Sequence, residues 1–396
     1  MITEGETSIW VASVKDLPHN KGPGKAKVPV FYNPAMEFSR DLSILIIEEF
    51  LKSKSKVIES GGKVSILDGL GGSGIRGIRF GKEVKNANSA QVKIVINDYN
   101  PIAYEVIKKN IEKNDLRNVT ATNSNLNELL ARNKFDYIDI DPFGTPIQFL
   151  SAGTRMLHSG GILAVTATDT AALFGRYPKT CLRKYDAWSC RTGFSHELGL
   201  RILIGCCVRI AAQHNLALRP ILVHSTDYYY RTYLHGTRGR GKTDLVLKEL
   251  GYVVQIKASN EYKILSRNHI QSKLGATLEK LLESASSVGN NLAGPLWTGQ
   301  LYDPTYLECL DIGSHKFGSS KQLSKMLSLF REEAAGPLGF YDLNLLGKEF
   351  SISVPEIAKI IKTLQDSGYF ATRTHFCQNA IKTDAPFEMI KRVFKG

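Results

Sequence analysis

The chain has 396 residues, 43% hydrophobic and 22% charged, a balance that excludes a wholly disordered or low-complexity polymer. Lys and Arg number 51 against 38 Asp and Glu, leaving a formal charge of +13 that points to a polyanionic partner. No apolar run reaches the roughly 18 to 20 residues of a bilayer-spanning helix; Ile44–Leu51 is broken by Glu48 and Glu49, and Ile202–Ala212 by Arg209.

The N-terminus lacks a basic segment followed by an apolar core, so a cytoplasmic protein is expected. Cys181, Cys190, Cys206, Cys207, Cys309 and Cys377 form no CxxC pair; reduced, mostly buried thiols and no metal site are expected.

In chain order, residues 1–30 carry Lys15, Lys21, Lys25 and Lys27 among Gly and Pro and read as a basic arm or small strands. Ser43 to about Lys52 has helical spacing. Short apolar runs then end in acids: Val64–Leu67 before Asp68, and Val92–Asn97 before Asp98. Pro101–Asn114 reads as a helix with Pro in its first turn. Phe135–Ile140 and Ile162–Thr166 are further strands, Phe194–His214 a long helix, and Pro220–His224 a strand. This alternation predicts an α/β fold, a doubly wound Rossmann-like domain with a largely parallel sheet. Arg238-Gly239-Arg240-Gly241-Lys242 reads as a loop. From about Lys321 the pattern changes: a helix over Pro355–Asp366, then strand-like Tyr369–Phe376 and Ala380–Lys382, suggest a winged-helix-like module in a smaller α+β domain. The division is placed at 1–240 and 241–396.

After the first core strand comes Asp68-Gly69-Leu70-Gly71-Gly72-Ser73-Gly74-Ile75-Arg76-Gly77, in which Gly72, Gly74 and Gly77 have GxGxxG spacing and Asp98 follows 21 residues later. Such glycines let backbone approach a ligand at a helix N-terminus, and the acid suits the two hydroxyls of a ribose. Dinucleotides and S-adenosylmethionine both fit this pattern. Asp139-Ile140-Asp141-Pro142-Phe143-Gly144 ends the strand expected beside the first, facing the same crevice. A carboxylate there can accept hydrogen bonds from an exocyclic amine while Phe143 stacks on the base. Arg76 opposes the dipole of the helix it begins, which favours a ligand contact.

Taken with Val30-Phe31-Tyr32-Asn33-Pro34, Arg40-Asp41, Gly74-Ile75-Arg76-Gly77-Ile78-Arg79 and Thr166-Ala167-Thr168-Asp169, these motifs resemble the tRNA guanine-N2 dimethyltransferases of archaeal type. Cys181-Leu182-Arg183-Lys184-Tyr185, Gly294-Pro295-Leu296-Trp297, Thr372-Arg373-Thr374-His375-Phe376 and Ile381-Lys382-Thr383 extend the resemblance over more than 300 residues. It implies S-adenosyl-L-methionine as cofactor, held by Arg40, Gly72, Gly74, Arg76, Asp98, Asn125 and Leu126, although an acid is common at the position of Asn125. It further implies Asp141, Pro142 and Phe143 as the catalytic segment and guanosine 26 of tRNA as the target. Some family members carry a CxxC pair where this chain has none in 250–270, in keeping with a metal-free enzyme.

For tRNA, Arg238, Arg240, Lys242, Arg373, His375 and Lys382 are the expected contacts, and Tyr228, Tyr229, Tyr230, Tyr233 and Arg231 are read as a half-core strand with a phosphate-contacting edge. Trp297 is assigned to the core. A monomer is expected. The competing readings are a nicotinamide-dependent oxidoreductase and a non-catalytic RNA-binding protein on a degenerate fold.

Overall fold

The structure, a computed structural model, describes residues 1–11, 30–256, 261–266 and 291–395. Lys15, Lys21, Lys25 and Lys27 of the expected basic arm lie outside the described residues. The chain divides into two compact units that interleave in sequence. The first comprises Met1–Thr168, Tyr233–Arg238 and Thr305–Leu327; the second comprises Asp169–Thr232, Gly239–Pro304 and Ser328–Gly396. A single cut at 240/241 therefore does not describe the packing.

The first unit opens with a hairpin of β1 (Ile2–Glu4) and β2 (Thr7–Ile9), followed by α1 (Glu37–Ser53). The alternation expected from the sequence then appears: β3 (Val64–Asp68), α2 (Ile75–Glu83), β4 (Val92–Asn97), α3 (Pro101–Lys113) and β5 (Val119–Thr122). It continues through α4 (Leu126–Arg132), β6 (Phe135–Ile140), α5 (Ile147–Met156) and β7 (Leu157–Ala167). Val-Lys-Ile-Val-Ile in β4 is β-branched throughout its apolar positions, which suits a pleated strand packed between helices. Helix α3 starts where Pro101 can tolerate a missing N–H, and the Asn100 side chain accepts from Ile102 N at 2.9 Å.

In the second unit, α6 (Pro178–Tyr185) precedes α7 (Ser195–Ala212), which is apolar nearly all round and buried as such a helix must be. Next come β8 (Leu216–Thr226) and β9 (Tyr229–Arg238), whose last six residues belong to the first unit. The central sheet runs in the order β5-β4-β3-β6-β7-β9-β8, and its first five strands are parallel. The strand order reverses at β3, where β4 pairs on one side and β6 on the other, so the C-terminal ends of β3 and β6 border one crevice.

Helix α8 (Arg240–Leu247) replaces the loop expected at Arg238–Lys242: Gly239 turns the chain and Thr243 Oγ1 donates to its carbonyl at 2.9 Å. The second unit also holds a three-stranded sheet of β10 (Leu250–Ile256), β11 (Glu261–Ser266) and β12 (Asn291–Trp297). Trp297 is 1% exposed, as expected of core, and its indole N–H donates to Gln300 O at 2.8 Å. After α9 (Ser320–Glu333) come β13 (Tyr341–Asp342), α10 (Leu343–Phe350), α11 (Ile357–Asp366), β14 (Ala371–Arg373), β15 (Ala380–Thr383) and α12 (Phe387–Lys395). The antiparallel order β13-β15-β14 closes over Leu346, Ile360, Leu364, Ile381, Ile390 and Phe394, the helix-helix-wing arrangement the sequence predicts. Among the described residues, no helix is long and apolar enough to cross a membrane.

Candidate active site

The site lies in the first unit, at the C-terminal ends of β3, β4 and β6. Gly72 and Gly74 hold φ of +56° and +80°, the left-handed region that glycine enters without a Cβ penalty. A Cβ on Gly72 would also sit 3.0 Å from Phe31 O, so the loop is a cradle of bare backbone. Asp98 braces it: Oδ2 accepts from Gly72 N at 2.8 Å and Oδ1 from Asn100 N at 2.8 Å. Partial burial pushes the Asp98 carboxyl up, opposed by those two N–H groups. Each oxygen retains an acceptor position, the number a vicinal diol needs.

Asp141 sits immediately beyond β6. Arg76 Nη2 donates to its Oδ2 at 2.5 Å, and Arg76 Nη1 donates to Ser43 Oγ at 3.0 Å. Arg76 is 5% exposed, so the pair is shielded from bulk water. The misfit of Arg76 with its helix dipole thus has a protein partner: three carboxylates, Asp68, Asp139 and Asp141, gather near its guanidinium. Asp68 and Asp139 are register partners on adjacent strands, both buried, and Asp139 Oδ2 lies 3.8 Å from Arg76 Nη1. Burial first, and then the charge of Asp139, push the Asp68 carboxyl up to about 7.

Beyond Asp141 the chain turns outward. Pro142 is buried, while Phe143 is 63% exposed and meets Phe31 edge-on with ring centroids 4.6 Å apart. Thr168 anchors the turn: Gly144 N donates to Thr168 Oγ1 at 2.6 Å and Thr168 N donates to Gly144 O at 2.9 Å. A half-held carboxylate beside an exposed aromatic ring suits a flat base carrying an amine. A bare-backbone loop with an acid beside it suits a nucleoside-bearing cofactor.

Residues 12–395 match the sequence profile of the N2,N2-dimethylguanosine tRNA methyltransferases. The chain belongs to this family. The tRNA (guanine(26)-N(2))-dimethyltransferase of Methanosphaera stadtmanae is 36% identical, covering 99% of this chain and 96% of the relative. That of Methanocaldococcus jannaschii is 38% identical, covering 92% of each. A solved complex of Trm1 from Pyrococcus horikoshii with S-adenosyl-L-methionine superposes with a TM-score of 0.82 at 30% identity, covering 99% of this chain and 98% of that one. Membership sets aside the nicotinamide reading of the glycine loop. The glycine cradle and the unsatisfied acceptors of Asp98 fit the family's cofactor.

Other expected contacts are engaged differently. Arg40 is 4% exposed and its fork is taken by Glu4: Nε donates to Oε2 at 2.8 Å, Nη2 to Oε1, and Nη2 also to Asn33 O at 3.0 Å. Arg40 therefore shapes the Phe31–Pro34 segment from behind. Asn125 caps α4, Oδ1 accepting from Asn127 N at 2.9 Å, so the oxygen expected to meet adenine already serves the helix. Leu126 is buried beneath the loop, its methyl groups 3.0 Å from where a Cβ on Gly69 would lie.

Of the six expected tRNA contacts, three face inward. The Arg238 guanidinium donates to Arg155 O at 2.6 Å and Leu157 O at 2.9 Å, closing the end of α5. Lys382 is 2% exposed and its Nζ donates to Glu197 Oε2 at 2.7 Å, Pro337 O at 2.9 Å and Gly339 O at 3.2 Å. The His375 side chain is fully buried; Nε2 accepts from Ser225 N at 3.2 Å, and Nδ1 meets the Glu333 carboxylate. Arg240, Lys242 and Arg373 are exposed. The expected phosphate-contacting edge of β9 is likewise corrected: Tyr229, Tyr230, Arg231 and Tyr233 are at most 1% exposed.

Sequence reasoning missed Ser43, Phe31, Asp139 and Thr168. Phe31 and Thr168 stood inside quoted motifs without a role. Asp139 likewise stood in a quoted motif without a role, and Ser43 carried no signal, since a serine in a helix is ordinary until the fold brings it to Arg76.

Proposed function

We propose that this chain transfers two methyl groups in succession from S-adenosyl-L-methionine to the exocyclic N2 amine of guanosine 26 in tRNA. The product is N2,N2-dimethylguanosine. The observation that carries the reading is the Asp141 carboxylate, one oxygen held by Arg76 and the other left open, beside the exposed ring of Phe143.

When bound, the cofactor supplies an electrophilic methyl on a sulfonium. Gly72 and Gly74 present backbone to it, and Asp98 accepts the ribose hydroxyls. Phe143 stacks on the guanine, with Phe31 bracing the ring from the side. The open Oδ1 of Asp141 accepts a hydrogen bond from the N2 amine, turning its lone pair toward the methyl. The amine is strongly acidic once alkylated, so even an Arg-paired carboxylate can receive its proton and pass it to water. Arg76 acts through Asp141 and is a positioning residue. To reach its target inside folded tRNA the chain turns the base outward, at a few kcal/mol of unstacking.

Arg240, Lys242 and Arg373 remain the proposed tRNA contacts among the six expected. The test is mass spectrometry of tRNA nucleosides after incubation with isotopically labelled cofactor. Label in N2,N2-dimethylguanosine supports the reading, and label in any other nucleoside alone refutes it.

A further inference from the structure

The +13 charge needs exposed cations, and of the six expected contacts Lys382 and the His375 side chain are buried while the Arg238 guanidinium is spent on backbone carbonyls. The second unit carries another set. On α6, Cys181 and Tyr185 are fully buried, while Lys179 and Arg183 are exposed on the opposite side, four residues apart. Arg176, three residues before Lys179, is exposed and extends the same stripe; its guanidinium carbon lies 5.7 Å from the centre of the Tyr177 ring. Tyr177 is 53% exposed.

Among the described residues none of Arg176, Lys179 and Arg183 has an ion-pair partner, and the one polar contact of Arg183 is with Thr180 Oγ1 at 3.4 Å. Like charges four apart on a helix repel, and Arg176 and Lys179 both flank its positive end. Lys184 on the same helix provides the contrast, with its Nζ 2.9 Å from Asp169 Oδ2. Two cations one helical turn apart, with a third just before the helix beside an exposed aromatic ring, match a sugar-phosphate backbone with a base to stack.

We infer that Lys179 and Arg183 on α6, with Arg176 and Tyr177 just before it, form a tRNA-gripping stripe. This rests on tRNA being the substrate. The experiment is tRNA binding across 50 to 300 mM salt by the wild type and by Arg176→Gln/Lys179→Gln/Arg183→Gln, with S-adenosylhomocysteine affinity as a check of folding. The triple variant is expected to bind tRNA at least 10-fold more weakly at 150 mM salt, with a log–log salt slope shallower by about 2 to 3. KM for tRNA should rise while kcat at saturating tRNA is kept. Tyr177→Ala should weaken binding with the slope unchanged, because stacking releases no counterions. If the triple variant loses S-adenosylhomocysteine binding, the single variant Lys179→Gln, expected to change the slope by about 1, decides instead. Wild-type affinity and slope in a folded variant overturn the stripe alone, including in favour of an acidic protein as its partner. A wild-type chain that neither binds nor methylates tRNA overturns both the stripe and the substrate reading.

Discussion

Two regions of this chain bury cation–carboxylate pairs, and they use them in opposite ways. At the end of β6, Arg76 holds one oxygen of Asp141 and leaves the other open. In the second unit, Lys382 has three acceptors around its ammonium, and Glu197 answers it along with Arg201 and the Gly339 N–H. The first pair leaves one carboxylate oxygen without a protein partner; the second is closed and holds an element in place. Both sit in family-like motifs, so the difference is not one of residue type. An unfinished hydrogen-bond set marks a group available to chemistry, and a complete one marks a group available to stability.

Variants can break that distinction. The largest effect is expected from Asp141→Ala, which should lower methyl transfer by roughly 10³-fold or more while S-adenosylhomocysteine still binds, read by single-turnover assays and calorimetry. Lys382→Met should instead destabilise the fold by about 3 kcal/mol in urea titration, because buried Glu197 is left with Arg201 as its remaining cationic partner. Adding Glu197→Gln should recover much of the loss, and a Lys382→Met chain of normal stability but poor tRNA binding would restore the original RNA-facing assignment. Arg76→Lys keeps the charge and loses the fork. It should reduce kcat by about 10- to 100-fold with little change in cofactor affinity, whereas the reverse pattern would make Arg76 a cofactor contact after all. Gly72→Ala forces a Cβ into a left-handed position 3.0 Å from Phe31 O, and a stability loss of about 1 to 2 kcal/mol is expected along with weaker cofactor binding.

The smallest effect sharpens the comparison through pH. Asp68 is raised to about 7, so the folded state binds its proton more tightly than the unfolded chain, and stability falls as pH rises from the ordinary carboxylate range toward 7. Burial alone would raise Glu197, but Lys382 and Arg201 outweigh it and hold it at about 2, so its contribution is present above its ordinary value and lost as pH falls toward 2. Asp68→Asn should stabilise the chain by about 1 kcal/mol at pH 8 and hardly at all at pH 4. Equal gains at both pH values would mean Asp68 is not the strained group.

The parallel sheet was legible because its signals are local: β-branched runs, glycine loops and acids at strand ends. Val92–Asn97 and Phe135–Ile140 match their predicted bounds for that reason. The crevice followed from strand order, which placed Asp98 and Asp141 at one edge. What could not be read is which side chain answers which. Arg76 looked like a ligand contact because its partner, Asp141, lies 65 residues away in sequence. Lys382 looked RNA-facing because a short strand presents alternate residues to both faces, and His375 because it follows a short strand; only packing reveals that both point inward. The Arg238–Lys242 stretch resembled a loop from its two glycines, yet it ends a strand and begins a helix.

The most direct test of the open carboxylate is the product itself. Wild-type chain, labelled S-adenosyl-L-methionine and two tRNAs, one with guanosine and one with adenosine at position 26, would be compared by nucleoside mass spectrometry, with the Asp141→Ala variant alongside. Label is expected in N2,N2-dimethylguanosine from the wild type acting on the first tRNA alone. Undiminished label from Asp141→Ala, or equal label in both tRNAs, would contradict the account.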